Sequence, residues 1–242
     1  MNLATADRLI ELNRGFYEKF GHSFSATRKR LQPGVLRILG TLQGDEAILD
    51  LGCGNGELAQ ELARRGHRGP YLGVDSSLTL LREAQSHALE GLRSAFLQAD
   101  LTHFSLIANR LPMSERWDVV TAFAVLHHIP GGDARLELLR SVHRGLSNGG
   151  RLAISNWQFL NSEKLKERIQ PWEAAGLSTE DVDPDDYLLD WRRDGAGLRY
   201  VHYFSAEELS ALATQAGFSV RQSFLSDGEN QKLGLYQIWV KA

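Results

Sequence analysis

The sequence predicts an α/β fold built on one mostly parallel sheet with helices on both of its faces. Short apolar runs of strand length alternate with segments of helical periodicity between residues 47 and 157, and this alternation is typical of parallel strands joined by helices. An aspartate follows three successive predicted strands, at Asp50, Asp75 and Asp100. Because ligands on such sheets bind beyond the carboxyl ends of the strands, these residues predict a binding site at that edge.

The composition is that of an ordinary globular protein and excludes several classes of function. Of the 242 residues 43% are hydrophobic and 24% charged, and the net charge is -3, so no overall positive field attracts nucleic acid. The single cysteine, Cys53, excludes an internal disulfide and a zinc site built from cysteines. Residues 1–16 carry charges throughout, so we expect no signal peptide, no membrane span and a cytoplasmic enzyme.

Two helices are predicted ahead of the alternating region, within residues 1–40. Residues 3–20 carry apolar side chains at helical spacing, and Pro33-Gly34 begins a second helix that covers residues 35–39. A polar and basic segment that contains Arg28 separates the two. We expect the pair to act as a lid over the binding site, although core packing alone would also explain the apolar stripe.

Five strands are predicted within a nucleotide-binding core at residues 41–157. They are expected at residues 47–50, 71–75, 95–100, 117–123 and 151–157, each an apolar run bounded by turn residues. Ser76 or Ser77 can cap the helix after the second strand, and Asp133 can cap the helix after the fourth.

The C-terminal third breaks this alternation before it ends in a helix and two strands. Residues 158–203 are interpreted as an insertion over the site, and their acidic run at 180–190 as a solvated face. In residues 204–242, Ser205 to Glu208 form a predicted capping box, and strands follow at 219–225 and 233–240. We expect one domain, residues 1–242.

The strongest local signal is the stretch AILDLGCGNG at residues 47–56. A strand that ends at Asp50 runs into a loop with Gly52, Gly54 and Gly56, and a helical pattern follows. Three glycines in five residues cost backbone entropy, which a sharp turn against a bound ligand would explain. The spacing differs from the G-x-G-x-x-G of dinucleotide sites. An ordinary strand-to-helix turn stays open as the alternative.

The D-x-G-x-G-x-G spacing resembles the first motif of class I methyltransferases that use S-adenosylmethionine. The resemblance implies a Rossmann-like sheet of seven strands, mostly parallel, that ends in an antiparallel hairpin. It implies S-adenosylmethionine as the cofactor, with its ribose on Asp75 and its adenine amino group on Asp100. The residues expected to bind it are Tyr17, Asp50, Gly52, Cys53, Gly54, Asn55, Gly56, Asp75, Ser76, Asp100, Leu101 and Phe123. No metal site is expected, since adjacent histidines without a carboxylate at helical spacing are poor evidence for one.

Four stretches together resemble a narrower family, the tRNA wobble-uridine methyltransferases that esterify 5-carboxymethyluridine. They are Tyr17 with FSATR at 24–28, LGCGNG at 51–56, AVLHH at 124–128 and RYVHYF at 199–204. The resemblance implies a carboxylate nucleophile that needs no base, and a cation that orients it. Arg28 and Arg199 are the candidates, because guanidinium forks suit carboxylates. His128 is expected to face the substrate and completes the predicted catalytic set.

Alternatives to this function stay open. The acidic net charge and the aspartates of the insertion do not suit a surface that faces RNA. The same residues could therefore hold a small carboxylic acid or a phenol. A non-catalytic cofactor-binding partner protein is the alternative from another class, and the intact loop with Asp75 and Asp100 argues against it. For family members in eukaryotes the resemblance also implies a small zinc-binding activator protein, which nothing in this sequence identifies.

Overall fold

The computed structural model describes residues 1–26, 30–87, 89–193 and 195–241. Helices α1 (Leu3–Ala26) and α2 (Pro33–Leu39) come first. The alternating region consists of β1 (Ile48–Leu51), α3 (Glu57–Arg64), β2 (Tyr71–Asp75), α4 (Leu78–Ser86), β3 (Ser94–Gln98), β4 (Trp117–Phe123), α5 (Gly132–Gly145) and β5 (Leu146–Trp157). The rest comprises α6 (Glu163–Lys166), β6 (Ile169–Gln170), β7 (Asp186–Trp191), β8 (Gly197–His202), α7 (Ala206–Gln215), β9 (Phe218–Ser226) and β10 (Gly234–Lys241).

The main sheet has seven strands in the order β3-β2-β1-β4-β5-β10-β9. Strands β1 to β5 pair in parallel, whereas β10 pairs antiparallel with both β5 and β9. The predicted fold class is thereby confirmed, a mostly parallel sheet with an antiparallel hairpin at its C-terminal end.

Two hydrophobic cores lie on opposite faces of this sheet, because successive residues of a strand point to opposite sides. In β1, Leu49 belongs to the core that contains residues of α5 and α7. Its neighbour Ile48 belongs to the core that contains residues of α2 and α3. Helices therefore cover both faces, and the carboxyl edge of the sheet is where a ligand can enter.

Residues 158–203 hold more structure than their sequence pattern predicted. Strands β6, β7 and β8 form a separate antiparallel sheet. Helix α1 packs on it through Leu9, which shares a core with Tyr200. The prediction of a solvated acidic face is wrong for Asp186, which is buried and bonded to Tyr200 and His202. The pattern concealed this residue because its partners lie on the next strand.

The first residues of helices α4, α5 and α7 show which of the predicted N-caps form. Ser77 caps α4 and Ser205 caps α7, each by accepting a hydrogen bond from the backbone N–H three residues ahead. The Glu208 carboxylate pairs with His202 Nε2 at 2.9 Å instead of completing the predicted capping box. The prediction for Asp133 is wrong, since a glycine is the N-cap of α5 and Asp133 lies in its first turn.

Candidate active site

A cavity of about 620 Å³ lies at the carboxyl edge of the main sheet. This volume is in the range of clefts that hold small-molecule ligands and cofactors. Its walls come from α1, the loop after β1, the ends of β2, β4 and β5, and the turn before β10. The charged residues that line it are Arg14, Arg30, Asp50, Glu57, Asp75, Asp100 and Asp227.

The cavity brings together most of the residues that the sequence predicted for the site. Those that line it are Tyr17, Asp50, Gly52, Cys53, Gly54, Asn55, Asp75, Ser76, Asp100, Leu101, Phe123 and His128. Gly56 is not among the described lining residues and forms the N-cap of α3 instead. Contact of these residues with a cofactor stays a prediction.

The glycine loop presents bare backbone to this cavity. Gly52, Gly54 and Gly56 all have positive φ, which side chains rarely tolerate. A Cβ at Gly52 would lie 2.3 Å from Val125 Cγ2, so that position has no room for a side chain. A Cβ at Gly54 would meet nothing within 4 Å, and Gly54 lines the cavity. The loop thus combines a tight turn at Gly52 with open backbone at Gly54 that faces the cavity.

Asp75 ends β2 with both carboxylate oxygens bonded to backbone amides. One oxygen accepts from Gly54 N at 2.9 Å and the other from Ser77 N at 2.8 Å. Burial raises the pKa of Asp75, although these amides counteract the rise. Each carboxylate oxygen can accept a further hydrogen bond, so the geometry is compatible with the predicted ribose contact.

Asp50 is buried in β1 and links this strand to its two neighbours, β2 and β4. Its two oxygens accept from Thr121 Oγ1 at 2.6 Å and from Tyr71 Oη at 2.7 Å. Burial raises its pKa to about 6 against these two hydrogen bonds, and the Asp75 charge adds to the rise. Burial also raises the pKa of the Cys53 thiol well above its ordinary value. Cys53 is therefore a thiol at neutral pH, which leaves it a poor nucleophile.

Asp100 follows β3 and pairs with a residue of helix α1. One oxygen accepts from Thr102 N at 2.9 Å and Thr102 Oγ1 at 2.7 Å. The other lies 3.4 Å from the Arg14 guanidinium on α1. Sequence reasoning missed Arg14, whose half-exposed side chain makes this ion pair a weak contribution to stability.

Tyr17 and His128 form a hydrogen-bonded pair in the cavity wall. Tyr17 Oη lies 3.0 Å from His128 Nε2, and His128 Nδ1 lies 3.2 Å from the carbonyl oxygen of Tyr200. Asn13 is buried and donates to the carbonyl oxygens of both His128 and Tyr200, at 3.2 Å each. Sequence reasoning missed Asn13, although a polar residue within the apolar stripe of α1 was a signal for it.

The two predicted acceptor-binding cations are placed differently. Arg28 lies outside the described residues, so its role stays a prediction. Arg199 is buried on β8, with its guanidinium 4.8 Å from the ring of Trp157 and 5.5 Å from that of Phe16. Trp157 lines the cavity, whereas Arg199 is not among the described lining residues. Arg199 thus lies behind the wall, and its contact with an acceptor also stays a prediction.

The cavity wall also contains two features, at Ala124 and Asp227, that no sequence pattern predicted. Ala124 follows β4 with φ of 57°, a conformation uncommon for a residue with a side chain and frequent at functional sites. Its N–H donates to the carbonyl and hydroxyl oxygens of Ser155. Asp227 accepts from Gly34 N at 3.0 Å and from Tyr236 Oη at 2.5 Å. This contact holds α2 on the turn that precedes β10.

Neither a membrane span nor a metal cluster occurs in residues 1–26, 30–87, 89–193 and 195–241. No helix there is both long and apolar enough to cross a membrane. No three His, Cys, Asp or Glu side chains in these ranges are grouped as ligands of a metal ion.

A family model described as a methyltransferase domain matches residues 24–223. A protein of Encephalitozoon cuniculi that is named as a methyltransferase is 31% identical over 208 residues, which cover 85% of this chain and 86% of that protein. A tRNA (carboxymethyluridine(34)-5-O)-methyltransferase of Schizosaccharomyces pombe is 25% identical over 222 residues, which cover 84% and 87% of the two chains.

The solved structures agree with the fold. A crystal structure of an S-adenosylmethionine-dependent methyltransferase from Methanosarcina mazei has a TM-score of 0.65 and 23% identity, and the match covers 87% of this chain and 98% of that one. At this identity the likeness shows the shared fold. The match to the family model over most of the chain, together with the Encephalitozoon relative, shows that the chain belongs to the methyltransferase domain family.

Proposed function

We propose that the chain is an S-adenosylmethionine-dependent methyltransferase that esterifies a carboxylate, that of 5-carboxymethyluridine at the wobble position of tRNA. The observation that supports this acceptor is the similarity to the Schizosaccharomyces pombe enzyme over 84% of the chain, because it extends well beyond the nucleotide-binding core. A tRNA acceptor also agrees with the cytoplasmic location expected from the sequence.

The residues present fit the cofactor. Gly54 offers open backbone, and the Asp75 carboxylate can accept hydrogen bonds from two neighbouring hydroxyls. Asp50, Asp75 and Asp100 make this part of the wall acidic, which suits a cationic sulfonium. When bound, the cofactor supplies an activated methyl group, so the protein contributes mainly alignment. Near-attack alignment is worth roughly 7–11 kcal/mol.

A carboxylate acceptor is ionised at neutral pH, so the enzyme has to orient it and remove no proton. Arg14 and Arg30 line the cavity and can face an anion there. Arg28 and Arg199 keep the predicted orienting role. A guanidinium holds a carboxylate through two parallel hydrogen bonds, a geometry that lysine lacks.

The test is labelled-methyl transfer to tRNA from a strain that lacks the modification. Nucleoside mass spectrometry should show a base-labile methyl ester at the wobble uridine. Arg28→Lys and Arg199→Lys should lower turnover on the order of tenfold to a hundredfold through misalignment. Arg64→Lys, on the exposed face of α3, is the matched control.

The outcomes separate the two parts of the proposal. Calorimetric binding of S-adenosylhomocysteine without transfer to tRNA, with or without added cell extract, would reject the tRNA acceptor and leave a small-molecule acceptor. Absence of that binding would reject the cofactor assignment.

A further inference from the structure

Two polar side chains at the end of β5 line the cavity with one hydrogen-bonding group each left over. We propose that Ser155 and Asn156 bind the methyl acceptor, by donating hydrogen bonds to the carboxylate oxygen that does not take the methyl group. This role rests on the proposed function, because it presupposes a carboxylate acceptor. It assigns to two neutral donors a part of the orientation that the sequence pattern suggested for arginines.

The end of β5 lies where a bound cofactor would leave room for the acceptor. The residues predicted to bind the cofactor follow β1, β2 and β3, which lie side by side in the sheet. Strands β4 and β5 continue the sheet on the other side of β1. Ser155 pairs with Phe123, the last residue of β4, and Asn156 is one residue further along. A methyl group presented from β1 would therefore meet an acceptor held over β4 and β5.

Ser155 is oriented by the strained residue Ala124. The Ala124 N–H donates to the carbonyl oxygen of Ser155 at 3.0 Å and to its hydroxyl oxygen at 3.1 Å. A hydroxyl group that accepts through its oxygen still has its hydrogen to donate. Among the residues that the structure describes, none accepts this hydrogen. Ser155 is 6% exposed and lines the cavity, so a bound acceptor can take the bond.

The Asn156 side chain is held at one end only. Its Oδ1 lies 3.3 Å from His127 Nδ1, whereas its Nδ2 is buried without a partner in the described part of the chain. The residue is 1% exposed and lines the cavity. A buried donor without a partner destabilises a folded protein, and native structures contain few of them. A bound acceptor oxygen would remove this cost.

The charge of the neighbouring wall makes such donors necessary. Asp227 lines the cavity on the turn before β10, the strand next to β5. Its two oxygens accept from Gly34 N and from Tyr236 Oη. The negative charge repels an anionic acceptor, so directed donors have to hold that acceptor in place. Neutral donors bind an anion more weakly than a guanidinium does, and they therefore withdraw less charge from the attacking oxygen.

The step balances without a proton transfer. One carboxylate oxygen forms the bond to the methyl carbon, the carbon–sulfur bond breaks, and its electron pair stays on sulfur. The other oxygen, bound to Ser155 and Asn156, becomes the carbonyl oxygen of the ester. A cationic sulfonium and an anionic carboxylate thus give two neutral products, and both donors can stay bonded throughout.

The test compares the two ends of β5, because each carries a serine followed by an asparagine. Ser155→Ala and Asn156→Ser remove the proposed donors, and Ser147→Ala and Asn148→Ser at the start of the strand are the matched controls. The measured quantity is kcat/KM for labelled-methyl transfer to the tRNA used above. It should fall about tenfold to a hundredfold in each cavity variant, as for a lost hydrogen bond to a charged group. The controls should match the wild type.

Two further variants exclude a merely structural role. Ser155→Thr keeps the hydroxyl group and should restore most of the activity that Ser155→Ala loses. Asn156→Asp keeps the size of the side chain and an oxygen towards His127, but it replaces the donor with a negative charge. It should therefore lower kcat/KM further than Asn156→Ser does. Calorimetric binding of S-adenosylhomocysteine should be retained in every variant, which shows that each one folds.

Results with an active wild type decide on the two donors alone. An unchanged kcat/KM in Ser155→Ala or in Asn156→Ser would overturn their assignment and leave the proposed function intact. Full activity of Asn156→Asp would also overturn it, because the amide would then not be needed as a donor.

A wild type that binds S-adenosylhomocysteine and methylates no tRNA would instead reject the tRNA acceptor. The same variants are then assayed for methyl-ester formation on benzoate and phenylacetate. The expected losses on these small carboxylates would support the role of Ser155 and Asn156. Unchanged ester formation in the variants, or no ester from the wild type, would overturn it.

Discussion

Replacement of Asp50 by asparagine should stabilise the protein increasingly as pH rises. Asp50 is buried, with 4% of the residue's surface exposed, and burial raises the pKa of its carboxyl group from 3.8 to about 6. The folded protein therefore holds a proton here that the unfolded chain has lost. Stability falls with pH wherever the folded state binds more protons. The loss begins near the unfolded pKa of 3.8 and is complete above the folded pKa of about 6.

The pKa shift of Asp50 determines how much the free energy of unfolding changes with pH. One pKa unit corresponds to about 1.4 kcal/mol, so the shift makes the charged carboxylate cost about 3 kcal/mol of stability at neutral pH. About 2 kcal/mol of this falls between about pH 4.5 and about pH 7.5. Asparagine keeps the size of the side chain and can bond both Thr121 and Tyr71 without a charge.

The assay is urea unfolding of the wild type and Asp50→Asn across that pH range, without cofactor. Other titrating groups contribute to both proteins, so their effects cancel in the difference. The free energy of unfolding of the variant minus that of the wild type should rise by about 2 kcal/mol. Parallel stability curves would refute the reasoning, because they would mean that Asp50 has the same pKa in both states.

Three further outcomes are expected. Asp75→Ala should weaken S-adenosylhomocysteine binding by on the order of 1.5–3 kcal/mol, as for charged hydrogen bonds; unchanged affinity in calorimetry would contradict the ribose assignment. Burial alone would lower the pKa of His202, but its two carboxylate partners raise it overall. Its stabilisation is therefore lost as pH rises through the folded pKa, and His202→Gln should flatten the urea-derived stability curve above about pH 6.5. Gly52→Ala should lower the thermal midpoint more than Gly54→Ala, since only the former meets a neighbour, Val125, at 2.3 Å.

The parts of the site that lie next to their own strand were predictable from the sequence. An apolar run followed by glycines or an aspartate marks both the strand and its carboxyl end. Asp50, Asp75 and Asp100 therefore came out at one edge once the sheet was predicted to be parallel. The glycine spacing also predicted a loop with backbone open to a ligand; Gly54 lines the cavity with open space around it, and its contact with a ligand stays a prediction.

The parts that reach the site through tertiary packing were not predictable. Asn13 bonds to residues 115 and 187 positions away, and no local pattern encodes such partners. Arg199 shows a second limit. Successive residues of a strand point to opposite faces of the sheet. The motif gives the position of Arg199 in the chain, but it does not show on which face of β8 the side chain lies. The structure places it behind Trp157.

The position of β10 between β5 and β9 has a consequence for biosynthesis. Strands β1 to β5 can pair with each other as they leave the ribosome, but one edge of β5 stays open until β10 arrives. An unpaired edge with apolar residues is a template for association with other chains. Long-range pairing of this kind is also slow. The nascent chain therefore carries an aggregation-prone edge from the synthesis of β5 until that of β10, and its yield in cells should depend on chaperones that cover β5 during this interval.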